Sequence, residues 1–275
     1  MDATHSMTKT ALVTGATDGI GYETARQLAA QRWRVLVHGR NVEKAAAAAQ
    51  RIAKSEAGAS VEGVAGDLSK MADVVALAQS VCGKAPTLDV LLNNAGVYEP
   101  NRRLTEDALE MTMAVNHFAV FLLTHHLLDA MRQATHGRVI TVSSMAHSSG
   151  RIDVGDLTLA RRYTGYGAYS ASKLANILFT TALAKRLTGT SVTANCLHPG
   201  VIATKLLRAG WGMGGGPVAS GARTSVYLAT SPEVDRITGT YFVDCRAATP
   251  SREARDERLA DALWQTTERT LAPFL

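Results

Sequence analysis

The stretch from Thr10 to Gln31 restricts the fold more than any other. Thr10-Ala11-Leu12-Val13-Thr14 is a short apolar run that predicts a buried strand, and a helical pattern spans Tyr22 to Gln31. Only Gly15-Ala16-Thr17-Asp18-Gly19-Ile20-Gly21 separates them. Strand, glycine turn and helix in direct succession start an α/β sheet. They also leave backbone N–H groups at a helix N-terminus, where phosphate oxygens bind well. Gly15 permits the tight turn, Gly19 the approach of backbone to a pyrophosphate, and Gly21 the packing of helix on strand. The spacing is a variant of the dinucleotide fingerprint in its required setting; the alternative is a structural turn.

The same alternation continues along the chain. Strands are expected at Arg34–His38, Ser60–Ala65, Leu88–Leu92, Arg138–Val142, Val192–Leu197 and Thr240–Val243. Helices are expected near 45–49, 71–82, 105–134, 174–184, 219–230 and 252–271. With 275 residues, 46% of them hydrophobic, the chain can bury one large core. The expected fold is a single α/β domain over residues 10–275, a Rossmann-like doubly wound parallel sheet of about seven strands flanked by helices. Residues 1–9 read as a loose tail, and no repeat or second domain is visible.

The second strand ends in Gly39-Arg40-Asn41, where such a sheet selects its cofactor. An acid there would bond the ribose 2′-hydroxyl of NAD. None is present; Gly39 leaves room and Arg40 offers a planar cation suited to phosphate, so NADP(H) is preferred and NAD(H) remains an alternative. Against this stand Arg40 as an ordinary surface charge and Asp18 as an unfavourable neighbour for phosphate. Asn41 is expected to cap the helix that follows, whose alanines read as helix-forming filler. Asp67, in Gly66-Asp67-Leu68, reads as an acceptor from adenine or as a helix cap. In Asn93-Asn94-Ala95-Gly96, small residues let backbone pass close to a cofactor and amides tie neighbouring strands.

Chemistry is expected at Tyr169-Ser170-Ala171-Ser172-Lys173. Residues four apart share a helix face. A phenol titrates near ~10 and is a poor proton donor or acceptor at neutral pH until a nearby cation favours its ionised form. Tuned in this way, Tyr169 can exchange a proton with an alcohol or carbonyl oxygen. Ser143-Ser144 ends the fifth strand, where open α/β sheets bind ligands. Asn116 sits among apolar residues and needs partners, either backbone groups or water leading to the lysine. Gly210 to Pro217, with five glycines and a proline, reads as a flap over the substrate within about 204–217, or as an inert linker.

Lys and Arg are scattered and the net charge is +5, so no nucleic-acid surface is expected. His125 and His126 are adjacent, poor joint metal ligands, and read as surface residues; no metal is expected. Three cysteines without metal or redox spacing read as buried small hydrophobes in a reducing compartment. No run of about eighteen apolar residues stands out, and Met1 to Lys9 is polar; no membrane anchor and a cytoplasmic location are the expectation.

Taken together, the Gly15/Gly19/Gly21 turn, Asn93-Asn94-Ala95-Gly96, Asn116, Ser144, the Tyr169/Lys173 pair and Pro199-Gly200 resemble the short-chain dehydrogenase/reductase family, in its order, from Lys9 to about Leu271. Ser143-Ser144-Met145-Ala146-His147, the wide gap from Ser144 to Tyr169, Leu174 to Thr180 and Thr240-Tyr241-Phe242-Val243-Asp244-Cys245 are most similar to the retinol dehydrogenase-like and WW-domain oxidoreductase-like branch. Arg40 also matches the branch's NADP-favouring arginine. The resemblance implies that Tyr169 is the general acid or base, that Lys173 lowers its pKa and holds the nicotinamide ribose, and that Ser144 donates to the substrate oxygen. Asn116 would hold a water connecting Lys173 to solvent, and Thr204 would contact the carboxamide. The implied cofactor-binding positions are Gly15, Thr17, Asp18, Gly19, Ile20, Gly21, Arg40, Asn41, Asp67, Leu68, Asn94, Ala95, Gly96, Tyr169, Lys173, Pro199, Gly200 and Thr204.

Membrane-bound retinol dehydrogenases carry an apolar N-terminal anchor that Met1 to Lys9 does not resemble, and no WW domain is present. Neither retinoid metabolism nor that protein's partner binding is therefore implied. The expected function is NADP(H)-dependent hydride transfer with a small carbonyl or alcohol substrate, apolar in character. The rival is an NADP(H)-binding sensor or scaffold; a sugar-nucleotide epimerase would need a larger substrate domain. Family habit leaves a homodimer or homotetramer open.

Overall fold

The computed structural model describes residues 8–212 and 214–275. Most of the tail expected over residues 1–9, up to residue 7, and Met213 of the expected flap lie outside the described residues. Eight strands form one sheet: β1 Thr10–Val13, β2 Arg34–Gly39, β3 Ser60–Ala65, β4 Val90–Asn93, β5 Gly137–Val142, β6 Val192–His198, β7 Tyr241–Val243 and β8 Arg246–Ala247. Their order is β3-β2-β1-β4-β5-β6-β7-β8. All pairings are parallel except β7 with β8. The central strands β1, β4 and β5 are buried throughout, as their unbroken apolar runs require when helices cover both faces.

On one face pack α1 (Gly19–Ala30), α2 (Val42–Ser55) and α8 (Val218–Thr230), with Leu28, Ile52 and Leu228 in a shared core. On the other pack α3 (Met71–Lys84), α4 (Met111–Met113) with α5 (Ala119–Arg132), α6 (Gly165–Arg186) and α9 (Glu257–Leu271). A short helix, α7 (Lys205–Trp211), follows β6. The alanines of α2 do more than favour helix. A Cβ on Gly63 of β3 would stand 2.8 Å from the Ala45 carbonyl carbon, so small residues on both sides let helix backbone settle onto strand.

Four expectations change. The sheet gains β8, because Asp244 and Cys245 form a two-residue hairpin with φ of 49° and 61°; such turns favour Gly or Asn, and Cys carries no turn signal. The helix expected from Thr105 starts at Met111, since Leu104 bridges to Glu110 and the buried Glu110 carboxylate caps α4 by accepting from Thr112 N and Met113 N. A π-helical turn, Ala114–Phe118, then joins α4 to α5 and carries Asn116. The span Met111–Arg132 is long and apolar enough by composition to cross a membrane, contrary to the expectation of no such run, yet 78% of its most apolar 18-residue window is buried in this fold as a core helix. Cys196 is buried as expected, whereas Cys82 and Cys245 are partly exposed; all three are free thiols.

The expected flap is also more structured than its glycines imply. Lys205–Trp211 is helical, closed by Gly212 in the left-handed region at φ 62°. Beyond it the chain returns to pair with its own start: Gly216 N donates to Val201 O, and Ala203 N donates to Gly216 O.

Candidate active site

The strand order reverses direction between β1 and β4, and a cleft of about 990 Å³ opens at the C-terminal ends of the strands there. Its floor is the glycine turn. Gly15 has φ 62°, and a Cβ on it would meet Ala95 Cα at 2.9 Å. A Cβ on Gly21 would lie 2.5 Å from Gly15 O. The β4 segment is tied to this turn as the amides predicted. Asn94 Nδ2 donates to Thr14 O at 2.8 Å, while Thr14 Oγ1 accepts from Asn94 N and Ala95 N.

Whether these residues fit a dinucleotide turns on the N-terminus of α1. A helix leaves its first four N–H groups without intrahelical partners. Asp18 accepts from Gly19 N through its side chain and from Tyr22 N through its carbonyl, which leaves Ile20 and Gly21, both lining the cleft, for phosphate oxygens. The concern over Asp18 is met by Lys205, whose ammonium lies 2.6 Å away and, as the foremost cause, holds the Asp18 carboxyl below its ordinary range. Thr17 and Leu68 also line the cleft, and Arg40 is an exposed cation on its wall.

Three readings are corrected. The space beside Gly39 is taken by packing, because its Cβ would fall 2.6 Å from the Thr17 methyl and 3.1 Å from Ala45 N. Asn41 lies outside the cleft lining; its side chain caps α2 by accepting from Lys44 N, the other role read for it. Asp67 lines the cleft but caps no helix. Its Oδ1 accepts from Ser69 N and Oγ, and α3 is instead capped by Asp107, which accepts from Met71 N at 2.9 Å.

On the opposite wall α6 presents Tyr169 and Lys173 on one face, with Lys173 Nζ 5.5 Å from the phenol ring centroid. Tyr169 is 6% exposed and Lys173 3%. Burial pushes the phenol up to about 12, opposed by a hydrogen bond with Ser144. Burial also pushes the lysine down to about 8. The expected lowering of the tyrosine by Lys173 is therefore not what the chain alone exhibits. The reason is geometric: Lys173 Nζ donates to Val142 O at 3.0 Å, at the end of β5.

The two serines, both at the cleft wall, bond differently. Ser143 Oγ donates to Lys173 O and so fastens β5 to α6, while Ser144 lines the cleft against Tyr169. Asn116 is outside the cleft lining and is held by structural bonds. Its Oδ1 accepts from Val97 N at 2.8 Å, and its Nδ2 donates to Val97 O and Ser172 Oγ. Gly96 lines the cleft in front of both groups, since its Cβ would stand 3.4 Å from Lys173 Nζ and 3.6 Å from Asn116 Oδ1. Pro199, Gly200 and Thr204 line the remaining wall; Gly200 adopts φ 93°, and Thr204 Oγ1 caps α7 by accepting from Leu207 N. Chemically, Ser144 and Tyr169 can both donate to one oxygen, the arrangement that opposes negative charge growing there.

Sequence reading missed several residues. His38 joins the turn to β3: its Nδ1 accepts from Gly15 N at 3.1 Å and its Nε2 lies 2.9 Å from Gly66 O. Burial holds it neutral, below the ordinary histidine range. Lys205 and His198 line the same cleft. An apolar strand ending in a histidine was the available signal for His38 and His198; Lys205 carried none. His125 is exposed as expected, while His126 Nε2 bonds Phe274 O.

Comparison with known proteins agrees with this geometry. The pattern of the short chain dehydrogenase family matches residues 9–211. Human retinol dehydrogenase 14 is 39% identical, over 94% of this chain and 85% of that protein. A solved structure of an uncharacterized protein from Mycobacterium paratuberculosis is 35% identical with TM-score 0.81, over 96% and 93% of the two chains. Gluconate 5-dehydrogenase from Burkholderia cenocepacia, solved with NADP and tartrate, is 25% identical with TM-score 0.70, over 85% and 92%. This chain belongs to the short chain dehydrogenase family, in its retinol dehydrogenase-like branch, and is an NAD(P)-dependent oxidoreductase of alcohol and carbonyl groups.

Proposed function

We propose that the chain uses NADP(H) and acts on an apolar carbonyl or alcohol. The observation that carries the cofactor choice is Arg40, an exposed guanidinium on the cleft wall just past β2, with no acid at the strand's end. A planar cation there suits a 2′-phosphate and has no counterpart in NAD. The NADP held by the Burkholderia relative supports the same choice. When bound, the nicotinamide supplies or accepts the hydride. Tyr169 would transfer the proton at the substrate oxygen, Ser144 would donate to that oxygen, and Lys173 would hold the nicotinamide ribose.

The apolar substrate reading rests on the rim. Met145, Tyr166 and Val201 are exposed apolar side chains lining the cleft mouth, and Leu206 and Leu207 of α7 line it as well. Burying such a rim against hydrocarbon contributes about 25 cal/mol per Å² of apolar surface. We assign α7 the part of a lid over cofactor and substrate, tethered at one end by the Lys205–Asp18 pair. The test is a titration with NADPH and with NADH on wild type and Arg40→Ala. It is followed by turnover of medium-chain aliphatic aldehydes such as decanal. Tighter NADPH binding that is lost in the variant is expected; equal affinities would overturn the cofactor choice, and preference for short polar carbonyls would overturn the substrate class.

A further inference from the structure

Two buried histidines with no assigned part grip the backbone that carries Ser144. His147 Nδ1 lies 2.7 Å from Ser144 O, and its Nε2 accepts from Ser251 N at 3.1 Å. A backbone N–H can only donate, so Nε2 is the acceptor and the ring proton sits on Nδ1, where it is donated to the Ser144 carbonyl. His198, at the end of β6, has the opposite arrangement. Its Nδ1 accepts from Met145 N at 3.3 Å, which places its proton on Nε2.

Ser144 O and Met145 N belong to one peptide plane. In a trans peptide they point in opposite directions, so the two rings hold that plane from its two ends. The residue before is fastened as well, because Ser143 N donates to Leu197 O and Ser143 Oγ to Lys173 O. Ser144 thus sits between an anchored Ser143 and a peptide plane held at both ends, and Ala146 N donates to its Oγ at 3.2 Å. That contact occupies an acceptor position and leaves the hydroxyl proton to be donated into the cleft.

We propose that His147 and His198 are positioning residues for the reaction: a pair of neutral imidazoles in opposite tautomers that aims the Ser144 hydroxyl beside Tyr169. The inference rests on the proposed chemistry of Ser144 and Tyr169. The C-terminal segment at Ser251 reaches the Ser144 peptide through His147. Its contribution is to keep that ring in the donating tautomer, since an N–H facing Nε2 disfavours a proton there.

Two variants divide the ring's functions. His147→Asn keeps a donor where Nδ1 stood and loses Ser251; His147→Gln keeps an acceptor where Nε2 stood and loses Ser144. With NADPH and decanal, His147→Gln should lower kcat by about tenfold or more, the scale on which misplaced catalytic groups act. NADPH affinity and KM should stay within about twofold of wild type, and His147→Asn should keep most of kcat. His198→Asn, which retains an acceptor for Met145 N, should likewise outperform His198→Leu. Equal losses in His147→Asn and His147→Gln, or a loss seen only as a lower melting temperature, would overturn the proposal. A second reading needs no turnover. Long-range nitrogen–proton NMR of the imidazoles at neutral pH should find His147 protonated on Nδ1 and His198 on Nε2. Either ring charged or in the other tautomer would sink the clamp even if wild type reduced no aldehyde, an outcome that would count separately against the proposed substrate.

Discussion

The glycine turn at Gly15–Gly21 and the loop at Ser144 face each other across one cleft and are built on opposite principles. The turn depends on what is missing. Side chains at Gly15 and Gly21 would collide with backbone at 2.9 Å and 2.5 Å, so its shape is set by sterics within β1, α1 and the neighbouring β4. The Ser144 loop depends on groups that arrive from far away, the His198 ring at a separation of 53 residues from Met145 and the Ser251 backbone N–H at 104 from His147. A nucleotide phosphate asks only for open backbone at a helix end. A proton-transfer site asks for hydroxyls aimed to within fractions of an ångström, and that takes fixed partners.

If the two sides are separable, substitutions should divide between binding and rate. Tyr169→Phe should show the largest effect, a fall of about 10²–10⁴ in turnover with NADPH affinity unchanged, read by stopped-flow and fluorescence titration. An equal loss of affinity would break the division. Gly21→Ala should do the reverse. Overpacking of this kind costs about 1–3 kcal/mol, so NADPH binding should weaken by roughly tenfold or more while turnover at saturating cofactor holds. Asn116→Ala tests the seam between the sides. It leaves Val97 N and O without their amide partner, at a cost of about 1–3 kcal/mol in chemical denaturation.

A smaller effect belongs to neither side. His117, wholly buried in the π-helical turn with Nε2 2.8 Å from Thr267 Oγ1 of α9, is held neutral by burial, down to about 3. Its folded pKa lies below the unfolded value of ~6.5, so the unfolded chain binds the proton first. Its stabilisation is complete above about pH 6.5 and declines as pH falls below that toward the folded value, by at most about 1.4 kcal/mol per pH unit. Melting temperature should therefore drop from pH 6.5 to 5.5, and His117→Gln should flatten that limb. An unchanged slope in the variant would assign the loss to His38, His147 and His198, which burial also shifts downward.

Where sequence reading succeeded and failed follows the same division. β1 to β7 were legible because a central parallel strand needs an unbroken apolar run, and the Tyr169/Lys173 pair because helical spacing brings i and i+4 together. β8 was not, since Asp244-Cys245 makes its turn without glycine. The start at Met111 was hidden because Thr105 to Glu110 is compatible with helix. It is drawn away by the Leu104–Glu110 bridge and by Asp107, which caps α3 instead of extending its own segment. Asn116 was found for its polarity in an apolar context, yet which partners it takes required seeing Val97 and Ser172 beside it.

By itself the sequence determined β1 to β7, the phosphate-ready turn and the shared helix face of Tyr169 and Lys173, because each depends on the spacing of neighbouring residues. Only the tertiary structure decided that Lys173 turns to Val142 O, that Lys205 offsets Asp18, and that His147 and His198 hold the Ser144 peptide. Hydrogen bonds and ion pairs act over a few ångströms in space and leave no periodic trace along the chain. Their partners become known only once the fold has brought them together.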